Sequence, residues 1–456
     1  MPFSPHWIDT FANSINSIVG FGARSENIVR IGDVLYGVFM HYEYPGDTDG
    51  TLVTRKSTDS GVTWTDLGVA PAISNPFTVV SIRLTTFVRL GKLELFWAIN
   101  DGTTNIQWQT YDPVSNTWAS VVNTGLPYWW RSPQQYSSLF AGLRPDGAII
   151  VAFPDLVTFD VRVSKWASGS WSTLGGFFDG SDFAILIQSG LIDDNGNAQM
   201  FMMRDVNSAG NNKRKLVHVS VDAATDTLSS EHDIEVDIDI DGDHTIYANC
   251  HVGPGHSSGN TLAISYGYRV ATNEINTASY GTLRVAFGDM TGNPLNPSWT
   301  VTTVVASQQG PASSGSHRFL ESHLVFISGT LWAYWTSAYP SANPIDDLTR
   351  LWRSSWNGSA WATPVVWYDP ALDATLATAP ITAPNVTNFY LLKAFTNGVG
   401  IVLNVVGVPN TNPGDPFNFA AYDGPPMVTV SGRRTFASQP ISDQKYAAHS
   451  RTSRIP

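Results

Sequence analysis

The chain is nearly free of cysteine. One residue, Cys250, stands among 456, so no internal disulfide can staple the fold. Charge is also scarce. Asp, Glu, Lys and Arg make up 14% of the residues, against about 25% in an average soluble domain. Positive charge is in deficit, with 26 Lys and Arg against 38 Asp and Glu and a net charge of −12. That balance disfavours non-specific binding to nucleic acid or to an anionic membrane. No apolar run is long enough to span a bilayer as a helix. The N-terminal stretch MPFSPHWIDTFANSINSIVG lacks a basic start and a continuous apolar core, so no secretory signal peptide is expected. P-loop, dinucleotide, nucleophile-elbow and paired-cysteine motifs are all missing. The scattered Ser, His and Asp residues assemble into no triad.

What is present is apolar and aromatic. Hydrophobic residues reach 43% and aromatics 12%, with the polar remainder rich in Ser, Thr, Asn and Gly. This mixture suits many short strands joined by turns and argues against helical bundles and disorder. Self-similarity appears at a fixed spacing. The best anchor, Ser57-Thr58-Asp59-Ser60-Gly61-Val62-Thr63-Trp64, matches the Asp box S-x-D-x-G-x-x-W. In such a turn the carboxylate caps backbone N–H groups, the glycine takes a positive φ, and the Trp folds back as an apolar plug. Looser echoes end at Trp118, Trp171, Trp299 and Trp361, and a turn near Asp226 fills the long gap between the second and third of these.

An apolar strand precedes each turn or closes the series: VLYGVFMHY, LELFWAIN, AIIVAFP, AQMFMMR, TLAISYGY, TLWAYWT and GIVLNVVG. Each suits the second strand of a four-stranded unit. The expectation is an all-β propeller of four-stranded antiparallel blades, seven favoured and six as the alternative. Residues 1–432 form the propeller, with blades at roughly 20–70, 82–122, 137–175, 184–232, 244–305, 317–368 and 386–430. Residues 433–456 form a closing strand or a C-terminal arm. Arg433, Arg434, Lys445, Arg451 and Arg454 make that arm a candidate docking or oligomerisation segment.

In a propeller the Asp-box turns join the third and fourth strands, on the face away from the usual binding loops. Ser57, Asp59, Gly61 and Trp64 therefore read as structural. The opposite face should carry Tyr128, Trp129, Trp130, Arg131, Gln134 and Tyr136. Rings stack on the C–H patches of a sugar while amide and guanidinium groups bond its hydroxyls, and the same residue types build protein hot spots.

Residues 24–64 resemble the opening of the sialidase family, an Asp-box (BNR-repeat) propeller family. Arg24 is followed by an apolar strand, an acidic loop holding Asp47 and Asp49, and then the Asp box. The resemblance implies that Arg24 is a carboxylate-binding arginine and that Asp47 or Asp49 is a general acid. Ser25-Glu26 stands where the family has Ile-Pro. The further arginines and a tyrosine–glutamate pair that such chemistry needs fall in no recognisable motif, although Arg204, Arg269, Arg284 and Arg318, with Glu274 and Glu321, exist.

Two clusters invite metals. Asp237, Asp239 and Asp241 form the first half of a calcium loop, but the twelfth position is Ala248 rather than Glu. An edge strand with carboxylates facing water is favoured, with a weak calcium site as the alternative. His244, Cys250, His251 and His256 lie near one another, and the Gly253-Pro254-Gly255 turn explains His256 without zinc. No cofactor is expected beyond weak Ca2+.

The composition also resembles adhesins, tail-fibre and capsid-attached proteins of bacterial viruses, which work outside the cell and are made without a signal peptide. The expected function is a non-enzymatic recognition or structural propeller, of virion or extracellular location. Its partner is a surface glycan or another virion or cell-surface protein, with no nucleic acid and no membrane insertion. The alternative is a sialidase-like glycoside hydrolase.

Overall fold

The computed structural model describes residues 4–7, 28–41, 51–59, 63–72, 82–99, 105–128, 139–155, 161–177, 185–205, 213–239, 250–253, 255–269, 280–309, 322–327, 329–338, 349–368, 386–396, 401–409 and 417–423. Among them every regular element is a β-strand. The first is β1 (Ser4–Trp7). Blade 1 follows with β2 (Ile28–Ile31), β3 (Val34–His41), β4 (Thr51–Ser57) and β5 (Thr65–Asp66). Blade 2 holds β6 (Ile82–Arg89), β7 (Lys92–Ile99), β8 (Asn105–Asp112), β9 (Thr117–Trp118) and β10 (Val122–Pro127). Blade 3 holds β11 (Phe140–Leu143), β12 (Ile149–Pro154), β13 (Val161–Ala167) and β14 (Ser170–Phe177). Blade 4 holds β15 (Ile185–Ile192), β16 (Ala198–Asp205), β17 (Lys213–Val221) and β18 (His232–Asp239). Blade 5 holds β19 (Cys250–Val252), β20 (His256–Ser258), β21 (Thr261–Arg269), β22 (Tyr280–Asp289) and β23 (Ser298–Gln309). Blade 6 holds β24 (Ser322–Ile327), β25 (Thr330–Ala338), β26 (Thr349–Trp356) and β27 (Val365–Tyr368). The last group holds β28 (Val386–Thr396), β29 (Ile401–Pro409) and β30 (Phe417–Asp423).

These strands make seven antiparallel sheets among the described residues, each on a four-strand path. The inner strands lie side by side, β2 against β6, β6 against β11, β11 against β15, β15 against β19 and β24 against β28, while in blade 5 the second strand β21 meets β24. The fold is an all-β propeller. All seven apolar segments read from the sequence are second strands. They are β3, β7, β12, β16, β21, β25 and β29. The fourth strand of the last sheet is β1, which pairs antiparallel with β30 from Ser4 opposite Tyr422 to Trp7 opposite Phe419. The sequence leads one to expect a closing strand or a C-terminal arm from the last residues. Residues 433–456 lie outside the described residues, and the N-terminus supplies the outer strand.

The burial gradient explains why second strands were the most legible. A second strand is sandwiched between two neighbouring blades, so both its faces are dry. Every residue of β12 is buried, whereas the outer strand β14 is mostly exposed or half-buried. Alternate residues of one strand enter different cores. Leu93, Leu95 and Trp97 of β7 pack with blade 1, and Phe96 and Ala98 pack with blade 3.

The turns between third and fourth strands lean into these cores. Trp118 joins the blade 1–2 core, Trp166 and Trp171 the blade 2–3 core, Trp299 the blade 4–5 core, and Trp361 the blade 5–6 core. In blade 4 the same place is taken by Leu228, which packs in the blade 3–4 core. Asn116 (φ 54°), Gly169 (φ 86°) and Asp226 (φ 61°) are left-handed two residues before Trp118, Trp171 and Leu228. Leu228 reaches the space beside Gly175 (φ 154°), where an added Cβ would lie 2.9 Å from Leu228 Cδ2. The first strand of blade 5 is interrupted at Gly253, where an added Cβ would meet the Ser322 carbonyl oxygen of blade 6 at 2.4 Å.

Candidate functional site

The aromatic segment expected at the binding face connects the fourth strand of blade 2 to the first strand of blade 3. Its two ends are described. Tyr128, just after β10, is 1% exposed, and Leu139, just before β11, is 2% exposed. Both belong to the one core between blades 2 and 3, with Phe96, Trp108, Val151 and Phe153. Tyr128 had been expected among the ligand-contacting rings. The structure corrects this: successive side chains of a strand alternate, so Tyr128 points inward with Leu126.

The backbone of Tyr128 forms an antiparallel bridge with Asp155. Asp155 follows β12, at the turn from the second to the third strand of blade 3. Its carboxylate is wholly buried and meets Arg162 Nε of β13 at 2.7 Å, while the Arg162 side chain is 24% exposed. The strand register makes this natural, because Arg162 lies opposite Phe153, two residues before Asp155. One buried residue therefore ties the outgoing end of the aromatic segment to two strands of the next blade.

Between the third and fourth strands of blade 1, the Ser57–Trp64 turn is organised around Asp59. Asp59 Oδ1 accepts bonds from Ser57 Oγ at 2.8 Å and from the Thr63 N–H at 2.8 Å, and Oδ2 accepts from Thr63 Oγ1 at 2.5 Å. Burial pushes the Asp59 carboxyl up, but the Thr63 hydroxyl and N–H and the Ser57 hydroxyl outweigh it and hold the group below the usual carboxylate range. Ser57 is buried, and Trp64 is half-buried at the start of the fourth strand. Gly61 lies outside the described residues.

The acidic run is only partly described. Asp237 and Asp239 lie on β18, the outermost strand of blade 4; Asp241 lies outside the described residues. The carboxylates just before them are engaged rather than simply facing water. Glu231 pairs with Arg204, Asp233 with Lys215 at 2.7 Å, and Glu235 with Arg284 and the Tyr266 hydroxyl of blade 5. Register shifts between β17 and β18 bring both Ile234 and Glu235 toward blade 5. Arg204 and Arg284, counted as spare arginines in the sequence, are thus bound into blade 4 and the blade 4–5 seam. Burial lowers the pKa of Arg284.

Among the described residues no group of three or more His, Cys, Asp or Glu is placed to hold a metal ion. Cys250 and His251 lie on β19, and His244 lies outside the described residues. His256 is buried with its ring 4.4 Å from that of Phe326, and burial drives its pKa down to about 3. Arg24, Asp47, Asp49, Trp129, Trp130, Arg131, Gln134 and Tyr136 also lie outside the described residues.

No family model matches the chain, and no curated protein matches it. Solved structures do resemble it. The phage phi92 endosialidase aligns at 11% identity with a TM-score of 0.46, over 96% of this chain and 72% of its own. The polysaccharide lyase Uly1 aligns at 9% identity with a TM-score of 0.49, over 92% of this chain and 99% of its own. The α-L-arabinofuranosidase Arb93A from Fusarium graminearum aligns at 11% identity with a TM-score of 0.41, over 93% and 98%. These are likenesses of fold, and no residue role is carried from them.

Several polar groups that hold this scaffold went unnoticed in the sequence. Buried Asp193 accepts bonds from the N–H of Asn197 at 2.9 Å and from Gln199 Nε2 at 2.7 Å. Gln199 Nε2 also reaches the Pro294 carbonyl of blade 5, and Gln199 Oε1 faces His218 Nε2 at 2.6 Å. Since the Gln199 amide nitrogen donates elsewhere, its oxygen is free to accept, which assigns the proton to His218 Nε2. Asp155 had one local signal, a Pro-Asp pair directly after a wholly apolar strand. Nothing local marked Gln199 or His218.

Proposed function

We propose that this chain is a recognition propeller of a bacterial virus particle, non-enzymatic, which holds a surface glycan through the face opposite its Trp-ended turns. The supporting observation is the pair of buried ends at Tyr128 and Leu139. Between them the sequence concentrates Trp129, Trp130, Arg131, Gln134 and Tyr136. Both ends are anchored in one core, so this stretch starts and finishes on a rigid base. Stacking rings supply area at low entropic cost, and the guanidinium and amide supply directional bonds to hydroxyls. The protein would work at the particle surface or outside the cell, without a cofactor.

Binding of the purified protein to a glycan array tests the reading. A saturable sugar signal that falls at least tenfold in Trp129→Ala/Trp130→Ala is expected. No sugar signal, together with unchanged attachment to host cells by the double variant, would remove the aromatic segment from recognition. A second reading, a sialidase-like hydrolase, draws on the order Arg24, Asp47, Asp49 and Asp59 in residues 24–64. Turnover of a fluorogenic sialoside that is abolished by Arg24→Ala and by Asp49→Ala would favour it over the binding module.

A further inference from the structure

We infer that Asp155, through its pairing with Arg162, is a positioning residue for the connection that leaves blade 2 at Tyr128; its bearing on ligand binding rests on the reading above. A carboxylate with no exposed surface is costly unless its charge is met. Here it is met by Arg162 Nε at 2.7 Å. The residue that bears this charge also pairs through its backbone with Tyr128. Ion pair and bridge therefore share one residue and cannot relax independently. Blade 2 supplies the bridged strand end, and blade 3 supplies the acid and its counter-ion.

The packing makes this junction stiff. The Tyr128 ring is buried with Leu139, so the two ends of the intervening stretch sit in one apolar cluster. Apolar packing alone sets depth but tolerates sliding along a strand. A backbone bridge sets register, and a buried ion pair penalises any register that separates its members. Asp155 thus decides where along blade 3 the chain crosses from blade 2. Asp→Asn at this position keeps the shape and the backbone bridge but removes the charge, leaving a largely buried guanidinium without its counter-ion.

Hydrogen exchange by mass spectrometry, with the thermal midpoint measured alongside, tests the assignment without any ligand. In Asp155→Asn, amides of residues 126–140 should exchange at least tenfold faster while the turns between the third and fourth strands of blades 4–6 keep their wild-type rates. Arg162→Lys in an otherwise wild-type chain, which keeps a cation beside the acid, should retain most of the protection that Arg162→Gln loses. Asp59→Ala, on the other face, should leave residues 126–140 unchanged. Unchanged exchange at 126–140 in Asp155→Asn, or a rise spread evenly over all blades, would overturn the inference. Should Asp155→Asn fail to fold, Asp155→Asn/Arg162→Gln removes both charges and the same comparison decides. Glycan binding is read separately. Sugar binding weakened at least tenfold in Asp155→Asn and in Arg162→Gln, but kept close to wild type in Arg162→Lys, would extend the role to the ligand. Wild-type protein that binds no sugar would defeat the proposed function and leave the exchange result to decide the positioning role.

Discussion

The turns at Ser57–Trp64 and Asp222–Leu228 occupy the same place, between the third and fourth strands of blades 1 and 4, and they are held in opposite ways. In blade 1 the Asp59 carboxylate is satisfied from inside the turn, by Ser57 and Thr63. In blade 4, Asp222 caps the N–H groups of Ala224 and Thr225, but Asp226 reaches out to blade 3. Arg144 and Lys165 each meet Asp226 at 2.6 Å, and Arg144 also bonds the Ala223 carbonyl. The first turn has a bulky Trp, and the second has Leu228 in the corresponding position. In blade 1 the turn's central acid is met by its own neighbours in sequence, and in blade 4 a second acid is met by the neighbouring blade.

That contrast is breakable. The largest effect is expected from Arg144→Ala. Arg144 is 3% exposed, and removing it leaves Asp226 and the Ala223 carbonyl short of a partner. A loss of about 2 kcal/mol in unfolding free energy, read by denaturant titration, matches the loss of buried hydrogen bonds to a charged group while Lys165 still meets Asp226. A loss no greater than that of an exposed salt bridge would show that blade 4 does not depend on its neighbour.

Acid separates the two regions further. His218, at the blade 4–5 seam beside Phe201 and Trp299, has its pKa lowered to about 3 by burial and then by His232. The unfolded chain protonates this group near pH 6.5, and the folded chain does not until about pH 3. The folded state therefore binds fewer protons in that window, and its stability falls as pH falls, by about 1.4 kcal/mol per pH unit for each such histidine. His256, lowered by its own burial, acts in the same direction. His218→Gln should flatten the slope of unfolding free energy between pH 6.5 and 4.5. Asp59 and Asp226, whose pKa values are lowered, lose their contributions only below that range, as their carboxylates protonate. An unchanged slope in His218→Gln would remove the blade 4–5 seam from the acid response.

The smallest effect belongs to the most recognisable motif. Asp59→Ala deletes a half-buried cap whose partners can turn to water. A cost of about 1 kcal/mol is expected, with faster hydrogen exchange limited to blade 1. A loss equal to that of Arg144→Ala would erase the distinction between the two turns.

The pattern of these contacts explains what could be read in advance. The second strands were legible because burial on both faces leaves an apolar run in the sequence, as at Ile149–Pro154. The turns were legible because an Asx-type cap acts within a few residues. Tyr128 was misassigned for a related reason. An aromatic at the edge of a Trp-rich stretch looks like platform, and only its alternation with Leu126 and the arrival of blade 3 put it in the core. Asp155 and Arg162 lie seven positions apart, but neither pattern nor spacing announces that a buried acid bridges to the preceding blade.

By itself the sequence determined the strand repeat, the four-stranded unit and the places of the Trp-ended turns, because periodicity and local capping act over a few residues. Tertiary structure alone decided that β1 completes the last sheet, that Leu228 stands in for a Trp, and that Asp226 is held by Arg144, 82 positions away. It also decided that Asp155 fastens the exit from blade 2. Each of those contacts joins segments that meet only when the blades pack against one another, so no local signal can encode them.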